Sequence, residues 1–318
     1  MRSLPLLTFT ILVLIILTNS CEPSPSEKLE EIQEPEEIIE VMDPNFRYAL
    51  LQTNCVDTNN DKVGDKNIDF NKDGNIDLEE IEAVESLILA FNHEIILGPV
   101  NLEEIKYFSN LKYLAITRSD DNGYIENTGT TKMASNFTAL HNLKTLKLNY
   151  LGSDFYSDLD LSNLENLTKL DLMNNNPSYL IEPQDWEYPT HFIKIHMNGC
   201  INLEEINMEN SFLIVDFCEA PSIKKLNMRY LEGGEPDVFD FHCLEDLEKL
   251  DISENRITKL ILKNRSVLNT FSAYDIGNSG MSNYPFVKEV CIDDLPEELK
   301  QISEIINEHT VINTDCTF

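Results

Sequence analysis

Apolar residues recur along most of this chain in one short pattern, in which an apolar residue is followed by others three and five positions later. The clearest example begins LEKLDISEN, where Leu247, Leu250 and Ile252 precede Asn255. Alternation of apolar and polar positions predicts a short strand with one buried face. Eight such segments begin at Leu111, Leu143, Leu167, Leu203, Ile223, Leu247, Leu268 and Val287, and a weaker one follows Val84.

A second, shorter apolar signal precedes most of these strands at a constant distance, which assigns it to the opposite side of each coil. Its members are Leu159/Leu161, Ile195/Met197, Val215/Phe217, Phe239/Phe241 and Leu260/Leu262. The whole arrangement resembles leucine-rich repeats, in which each unit adds one strand and an Asn satisfies backbone groups at the turn. One unit cannot bury its apolar face alone, so the units must stack. We therefore predict an α/β fold, a leucine-rich-repeat solenoid over residues 84–292 with parallel strands on its concave face.

The first 42 residues indicate export and tethering. Residues 1–20 carry Arg2 and a short apolar run, which is typical of a secretory signal. The residues before Cys21 resemble the lipobox of bacterial lipoproteins, although Thr18 replaces the usual Leu. That resemblance implies cleavage before Cys21 and lipidation of its thiol; an ordinary cleaved signal is the alternative. Residues 21–42 are rich in Glu, Pro and Ser, which favours an extended acidic tether.

Residues 43–83 predict a helix–calcium loop–helix cap. Asp43 and Pro44 form a good helix start. The segment that we call loop B, residues 69–80, then places oxygen-bearing residues, a Gly and a final Glu at the spacing of a calcium loop. The predicted ligands are Asp69, Asn71, Asp73, Asn75 (through its carbonyl), Asp77 and Glu80. Calcium prefers six to eight hard oxygen ligands, a sharp turn at Gly74 and a bidentate carboxylate at the last position.

Residues 57–68, which we call loop A, repeat the pattern less completely. Asp57, Asn59, Asp61 and Asp65 occupy ligand positions, whereas Lys62 replaces the Gly and Ile68 replaces the last Glu. A weaker second ion site and an acidic turn-rich loop both remain open interpretations. The cap is expected to cover the first repeat, since terminal repeats need a cover.

The combination of these motifs resembles extracellular leucine-rich-repeat proteins of the Bacteroidota type with an EF-hand or dockerin-like calcium segment. The matching residues are Asp57 to Glu80, then Ile105, Phe108, Asn110, Leu111 and Leu114, then Cys291-Ile292-Asp293 with Cys316. The chain departs from the pattern in its irregular repeat lengths. The resemblance implies surface display and binding, and it does not supply a ligand.

Charge and cysteines limit the function further. The net charge of −32 argues against nucleic-acid binding and against docking on an anionic membrane by charge alone. Membrane attachment is therefore expected through the lipid only. Cys291 and Cys316 flank the last segment, residues 293–318, and in an oxidising compartment a disulfide between them would close a C-terminal cap. We expect Cys200, Cys218 and Cys243 to be small buried residues, leave Cys55 open, and find no Cys/His spacing that suits zinc.

The outward strand positions are rich in basic residues, which could steer an acidic partner to the concave face. The candidates are Lys144, Lys169, Lys224, Lys225, Arg229 and Lys249. Glu204 and Glu205 stand one repeat before Lys224 and Lys225, so cross-strand neutralisation is the simpler interpretation. An acidic glycan or protein ligand is the other.

No motif of an enzyme is present: the chain lacks G-x-S-x-G, H-E-x-x-H and a phosphate-binding Gly loop. We predict a non-enzymatic, lipid-anchored protein of the bacterial outer membrane or cell surface that binds a protein or glycan, with Ca²⁺ holding its N-terminal cap rigid. The alternative is a structural or adhesive envelope component that self-associates when calcium is present.

Overall fold

The computed structural model describes residues 37–91, 100–117, 134–135, 137–151, 158–175, 193–231, 238–276 and 287–317. All of these belong to one compact unit, Glu36–Phe318. The predicted signal peptide, the lipidation site Cys21 and the tether up to residue 36 lie outside the described residues. No helix in the described ranges is long and apolar enough to span a membrane.

The described secondary structure consists mainly of short strands. The helices are α1 Pro44–Gln52, α2 Leu78–Glu82 and α3 Pro296–Gln301. The strands are β1 Ser86–Ala90, β2 Asn101–Leu102, β3 Tyr113–Thr117, β4 Ala134–Ser135, β5 Thr145–Asn149, β6 Leu159–Asp160, β7 Lys169–Asp171, β8 Ile193–His196, β9 Glu205–Asn207, β10 Leu213–Val215, β11 Lys225–Asn227, β12 Val238–Asp240, β13 Lys249–Asp251, β14 Lys259–Ile261, β15 Thr270–Ser272, β16 Glu289–Cys291 and β17 Val311–Asn313.

One parallel sheet joins β1, β3, β5, β7, β9, β11, β13 and β15 in that order. We call it the concave sheet, after the side on which repeat solenoids carry such a surface. Its strands alternate as the sequence predicts: Leu114 and Ile116 of β3 are fully buried, while Ala115 between them faces outward and is half-buried. Seven of the eight predicted strand segments and the weaker one after Val84 lie in this sheet. The leucine-rich-repeat solenoid is therefore the observed architecture of the described coils.

The second apolar signal forms the opposite side of the coils, as predicted. Strands β6, β8 and β10 make one parallel sheet, and β12, β14, β16 and β17 make another. The prediction for Val287 is wrong in its placement. Strand β16, which follows Val287, pairs with β14 through Lys259 and Glu289 rather than with β15. The reason is that the apolar alternation fixes a strand and its buried face but does not distinguish one side of the coil from the other.

The turns after six of the eight concave strands, β5 to β15, use a left-handed residue at the same register position. These residues are Tyr150, Asn174, Asn210, Tyr230, Glu254 and Asp275. In three of these turns a buried polar side chain follows, namely Asn175, Ser211 and Asn255, and in the other three the following residue is apolar. The Asn255 amide donates to the carbonyls of Met228 and Ile252 at 2.7 and 2.8 Å and accepts the Leu231 N–H at 2.9 Å. This is the role that the repeat pattern predicts for Asn255.

The N-terminal segment closes the first edge of the concave sheet through main-chain pairing. Val56 bridges antiparallel to Leu87 of β1 and also to Lys66. The Ile88 N–H donates to the Cys55 carbonyl at 2.7 Å. Because these bonds use the edge groups of β1, no further strand can add there. Pairing of this kind leaves Cys55 fully buried.

Packing begins before Asp43, the residue at which the sequence suggested that the cap starts. Ile39 and Val41 are only 7% and 4% exposed. Ile38 bridges antiparallel to Asp77, and the Ile39 N–H donates to the Ile76 carbonyl at 2.8 Å. The described end of the predicted tether, residues 37–42, is thus attached to loop B because two of its apolar side chains find a place in the core.

The C-terminal segment packs α3 and β17 on the last coil. Cys291 and Cys316 form a disulfide with Cα atoms 6.3 Å apart. Inside this segment Glu298 is 2% exposed; its Oε2 accepts the Asp293 N–H at 2.7 Å, and its Oε1 has no hydrogen-bond partner among the described residues. Burial, with a smaller contribution from the Asp293 charge, raises the pKa of Glu298 to about 7.

Glu298 should make the stability of the protein depend on pH. Its pKa is higher in the folded chain than in the unfolded one, so folding takes up a proton between pH ~4.5 and 7. We expect the free energy of unfolding to fall as the pH rises through this window, by about 2–3 kcal/mol from this group. Urea unfolding at pH 5 and pH 8 would measure it. Between pH 5 and pH 8 the Glu298→Gln protein should lose less unfolding free energy than wild type. The Glu297→Gln protein, which changes an exposed neighbour, should lose as much as wild type. Equal losses in all three proteins would show that Glu298 is not the source of this pH dependence.

Candidate functional site: two acidic loops and the concave sheet

Loop B is organised by backbone N–H groups that hold its side-chain oxygens in place. The Asp73 N–H donates to Asp69 Oδ1 and Asn71 Oδ1 at 3.1 and 2.9 Å. The Gly74 N–H donates to Asp69 Oδ2 at 3.1 Å. Gly74 has φ +84°, a conformation that favours glycine. Loop B therefore has the sharp turn that a calcium loop needs, and backbone N–H groups orient its Asp69 and Asn71 oxygens.

The last predicted ligand, Glu80, lies within the same hydrogen-bond network. Its Oε1 accepts the N–H groups of Phe70 and Asn71 at 2.6 and 3.1 Å, and Oε2 accepts that of Asp77 at 3.3 Å. The Asp77 carboxylate in turn caps α2 by accepting the Glu80 N–H. Burial raises the pKa of Glu80, and the hydrogen bonds oppose that shift.

The oxygen set of loop B fits a hard cation in chemistry, because it combines carboxylates, an amide oxygen and backbone carbonyls. Its acidic oxygens are spread out, however. In the part of the chain that the structure describes, no three carboxylates bring oxygens within 4.8 Å of one another. Calcium binding would thus require Glu80 to exchange its backbone donors for the ion.

Loop A has the same local geometry as loop B over its first seven residues. Its fourth and sixth residues, Asn60 and Lys62, have φ 65° and 71°, and their counterparts in loop B, Lys72 and Gly74, have φ 66° and 84°. The Lys62 N–H donates to Asp57 Oδ2 at 3.1 Å, as Gly74 does to Asp69. The two loops are therefore structural repeats, which the sequence alone left open.

Asp57 links loop A directly to the solenoid. It is 6% exposed, and its Oδ2 accepts the Ser86 hydroxyl of β1 at 3.0 Å. Burial raises the pKa of Asp57, but the bonds from Ser86 and from the loop N–H groups lower it by more, and the net pKa lies below the ordinary value. The other predicted ligands of loop A bond within the loop: Asp65 accepts from Thr58, and Asp61 accepts the Val63 N–H.

The sixth position of each loop provides a matched pair of substitutions. A Cβ on Gly74 would meet nothing within 4 Å, so Gly74→Ala should cost only the left-handed backbone, about 1 kcal/mol. Lys62→Gly removes the cost of the left-handed backbone at the same position of loop A. It also removes the contact of the Lys62 Nζ with the Tyr113 ring, 4.3 Å from the ring centroid. We expect Lys62→Gly to be neutral or up to about 1 kcal/mol stabilising in chemical unfolding. If both variants destabilised the protein, or both stabilised it, the two loops would not share one backbone geometry at this position.

On the concave sheet, most of the predicted basic candidates form ion pairs with neighbouring strands. Lys169 and Lys225 flank Glu205 at 3.0 and 3.4 Å, and Lys224 contacts Glu204 at 2.7 Å. Burial raises the pKa of Glu205, but the two lysines lower it by more. The simpler interpretation of the sequence, cross-strand neutralisation, therefore describes these residues. Within the described ranges no carboxylate oxygen lies within 4.0 Å of the Nζ atoms of Lys144 or Lys249.

The middle row of the concave sheet is an uninterrupted polar ladder. Its members in register order are Asp171, Asn207, Asn227 and Asp251. The Asn207 amide donates to Asp171 at 3.1 Å and the Asn227 amide donates to Asn207 at 3.0 Å. The ladder presents both donors and acceptors, and its two carboxylates stand at its ends, where Lys147 Nζ lies 3.8 Å from Asp171.

Beside this ladder, just past the ends of β9, β11, β13 and β15, lies a cluster that we call the Arg229 cluster, consisting of Glu209, Arg229, Glu254 and Tyr274. The Arg229 guanidinium bonds Glu254 at 2.6 Å and Glu209 at 3.4 Å, and it lies 5.6 Å from the Tyr274 ring centroid. The Tyr274 side chain is 49% exposed. The Arg229 bond and charge lower the pKa of Glu254. Sequence analysis included Arg229 but missed Tyr274, whose place next to Arg229 follows only from the strand register.

Sequence analysis also misjudged two cysteines. Cys218 and Cys243 form a disulfide between neighbouring coils, with Cα atoms 5.1 Å apart, whereas Cys200 and Cys55 are free and buried. Counting from the concave strand starts gave the two cysteines unlike offsets. Counting from Phe217 and Phe241 leaves the offsets unlike as well, at one and two residues, so only the packing of the two coils, with these rings 5.6 Å apart, brings both cysteines to one corner.

No family model matches the chain, and no curated protein matches it. Among solved structures, an internalin from Listeria monocytogenes is similar over 87% of this chain and 96% of that chain, with 14% sequence identity and a TM-score of 0.17. A likeness at that identity and TM-score carries no argument here. The conclusions about this protein therefore rest on its own residues.

Proposed function

We propose that this protein is a binding scaffold that holds a protein partner on its concave sheet. The observation that carries the proposal is the continuous outward surface of eight parallel strands, with a polar ladder in its middle and the Arg229 cluster at its edge. Arg and Tyr are the residues most enriched at the energetic centres of protein interfaces. The Asp and Asn side chains of the ladder and the Lys–Glu pairs beside it suit a protein surface better than a polyanion.

Two observations support a role in partner binding for the left-handed turn that follows the concave strands. Tyr150, Tyr230 and Glu254 adopt φ 61°, 55° and 61° although they are not Gly or Asn. Such conformations cost of the order of 1 kcal/mol each, and they cluster at sites where function retains them. Tyr150 and Tyr230 are also 37% and 36% exposed. This turn presents aromatic side chains along one rim of the concave sheet.

The remaining parts of the proposal concern the ends of the chain. We place the protein at the bacterial cell envelope, held by a lipid on Cys21. Calcium in loop B, and in loop A as a weaker site, would stiffen the segment that pairs with β1. In this role the ion stabilises a scaffold and does not take part in a reaction, and no catalytic activity is proposed.

A capture experiment tests the binding role. The chain from Cys21 onward, with Cys21→Ser, is immobilised and exposed to envelope proteins and to acidic polysaccharides at two salt concentrations. The Arg229→Ala/Tyr274→Ala protein should bind its protein partner at least about 10-fold more weakly. Lys259→Ala breaks an ion pair with Glu289 on the opposite side of the coil and should leave binding unchanged. Equal binding by all three proteins would exclude the concave sheet.

Two other outcomes would change the proposed partner. The chain could instead capture an acidic polysaccharide, with binding that weakens at high salt and in the Lys144→Ala/Lys249→Ala protein. That result would show that the partner is an anionic glycan and not a protein. No capture together with calcium-dependent self-association of the free chain would favour the adhesive role instead.

Calcium should stabilise the folded chain measurably. With a dissociation constant in the extracellular range, about 2 mM Ca²⁺ adds roughly 0.6–1.8 kcal/mol to the free energy of unfolding. Thermal unfolding with calcium and with a chelator would measure this difference. Glu80→Gln should reduce it strongly, while Glu82→Gln, which removes the same charge from an exposed position on α2, should not. A gain that survives Glu80→Gln would place the ion elsewhere.

A further inference from the structure

The Cys218–Cys243 disulfide lies on the surface of two adjacent coils, beside a histidine. Cys218 belongs to the 3-10 helix Phe217–Glu219, and Cys243 follows β12 and His242. Cys218 is exposed, and both Cys243 and His242 are partly exposed. Solvent and small ions can therefore reach both sulfur atoms.

His242 is fixed in one orientation by the carboxylate of Asp240. Its Nδ1 is 2.8 Å from Asp240 Oδ1, and its backbone N–H donates to the same oxygen at 3.0 Å. An ionised carboxylate only accepts hydrogen bonds, so in the neutral ring Nδ1 carries the proton. The Nε2 lone pair then faces the two sulfurs, 3.2 Å from Cys243 Sγ and 3.8 Å from Cys218 Sγ. A carboxylate that orients a histidine in this way is typical of metal-binding histidines.

The two nitrogen–sulfur distances agree with a tetrahedral site, while the two sulfurs, bonded to each other in this structure, would have to separate on reduction. With Zn–S of about 2.3 Å and Zn–N of about 2.0–2.1 Å, nitrogen and sulfur ligands of one zinc ion lie about 3.6 Å apart. The two observed N–S distances, 3.2 and 3.8 Å, lie on either side of that value. In the described part of the chain this is the one group of three His, Cys, Asp or Glu residues whose ligand atoms all lie within 4.8 Å.

We propose that Cys218, Cys243 and His242 form a redox-gated site for a thiophilic d¹⁰ ion, with Zn²⁺ as the expected ion and water at its fourth position. In the disulfide form the sulfurs are bonded to each other and the site is closed. A dithiol reductant transfers two electrons and two protons to the disulfide, which gives two thiols and the oxidised reductant. Zn²⁺ then binds the two thiolates and His242 Nε2, and the two thiol protons are released to solvent.

The second disulfide of the chain serves as an internal control. Cys291–Cys316 spans the same sequence separation, 25 residues, as Cys218–Cys243. It belongs to no comparable ligand group among the described residues, and Cys291 is fully buried. The two free cysteines do not compete either, since burial raises the pKa of Cys55 to about 12 and that of Cys200 to about 11.

Cobalt binding tests the proposal, because Co²⁺ substitutes for Zn²⁺ and its thiolate complexes absorb light. The full chain carrying Cys21→Ser is titrated with Co²⁺ after reduction by a phosphine, with excess Ca²⁺ present to occupy the acidic loops. We expect one equivalent to produce a thiolate-to-cobalt charge-transfer band and tetrahedral visible bands, both abolished by Zn²⁺. The disulfide form should produce neither.

Variants separate the site from other thiols. Asp240→Asn should weaken Co²⁺ binding by about 10- to 100-fold through loss of the oriented ring. His242→Gln should weaken it by at least as much; this variant is purified in its disulfide form, so its fold does not depend on the metal. Cys291→Ser/Cys316→Ser should bind as the parent does. Absence of the band in the reduced parent, or full-strength binding by His242→Gln or Cys218→Ser/Cys243→Ser, would overturn the proposal.

Discussion

Replacing Asn255 with alanine is expected to lower the free energy of unfolding by about 3–5 kcal/mol, one of the two largest effects that we predict for a single substitution. The Asn255 side chain is 2% exposed, and its amide donates to the carbonyls of Met228, Ile252 and Ser253. Alanine leaves the Met228 and Ile252 carbonyls and the Leu231 N–H without this partner, whereas the Ser253 carbonyl still accepts the Tyr230 N–H. Each buried unpaired group costs about 1–3 kcal/mol. Urea unfolding followed by circular dichroism would measure the loss.

The matched control is an asparagine from the exposed side of a coil. The Asn202 amide donates to the Glu165 carbonyl at 2.8 Å, in an exposed position where water can replace it. Asn202→Ala should therefore cost no more than about 1 kcal/mol. If both variants lost the same amount, the buried hydrogen bonds of Asn255 would not be what holds its turn to the neighbouring coil.

Gly64→Ala should destabilise the N-terminal segment by at least about 3 kcal/mol. A Cβ on Gly64 would lie 1.7 Å from the Asn54 carbonyl oxygen and 2.7 Å from its carbon. These are backbone atoms next to Cys55, so the whole strand-like segment must move away. That segment holds the edge of β1, and the variant should also speed hydrogen exchange at the Ile88 N–H, whose acceptor is the Cys55 carbonyl.

Gly74→Ala is the control for this effect, because it adds the same methyl group to the other acidic loop, where there is open space. It should leave hydrogen exchange at Ile88 unchanged and cost only about 1 kcal/mol. Slow exchange at Ile88 in the Gly64→Ala protein would show that the pairing of Cys55 and Val56 with β1 is not what protects this edge.

The coils could be predicted from sequence because each coil repeats the same short alternation of buried positions, although the coils differ in length. Leu247, Leu250 and Ile252 define a strand by alternation, and Asn255 completes the turn with bonds that any such coil requires. The placement of β16 could not be predicted, since its alternation is the same as that of a concave strand. Nor could the pairing of Val56 with Leu87, because a single contact between distant segments leaves no periodic signal.

The candidate sites also combine features that a local sequence pattern predicts with features that depend on the folded structure. The ligand spacing of loop B lies within one short segment and could be recognised in the sequence. The sequence also showed why loop A is the weaker candidate ion site, since Lys62 replaces the Gly and Ile68 replaces the last Glu. That the two loops share one backbone geometry emerged only from their φ angles and N–H donors. The excess of lysines on the concave face was visible in the sequence, but their neutralisation by Glu204 and Glu205 depends on side-chain distances.

The fixed register of the concave sheet has a consequence for how such a protein can vary. Asp171 and Asn207 are bonded across 36 residues of sequence, whereas Asn207 and Asn227 are bonded across 20, yet the ladder continues without a shift. The chain between two coils can thus change in length while each strand keeps its neighbours. New segments can be inserted after the left-handed turn residues at little cost to the core, directly beside the rim where Tyr230 and Arg229 lie. Diversification of partner choice is therefore open to this scaffold by insertion as well as by substitution.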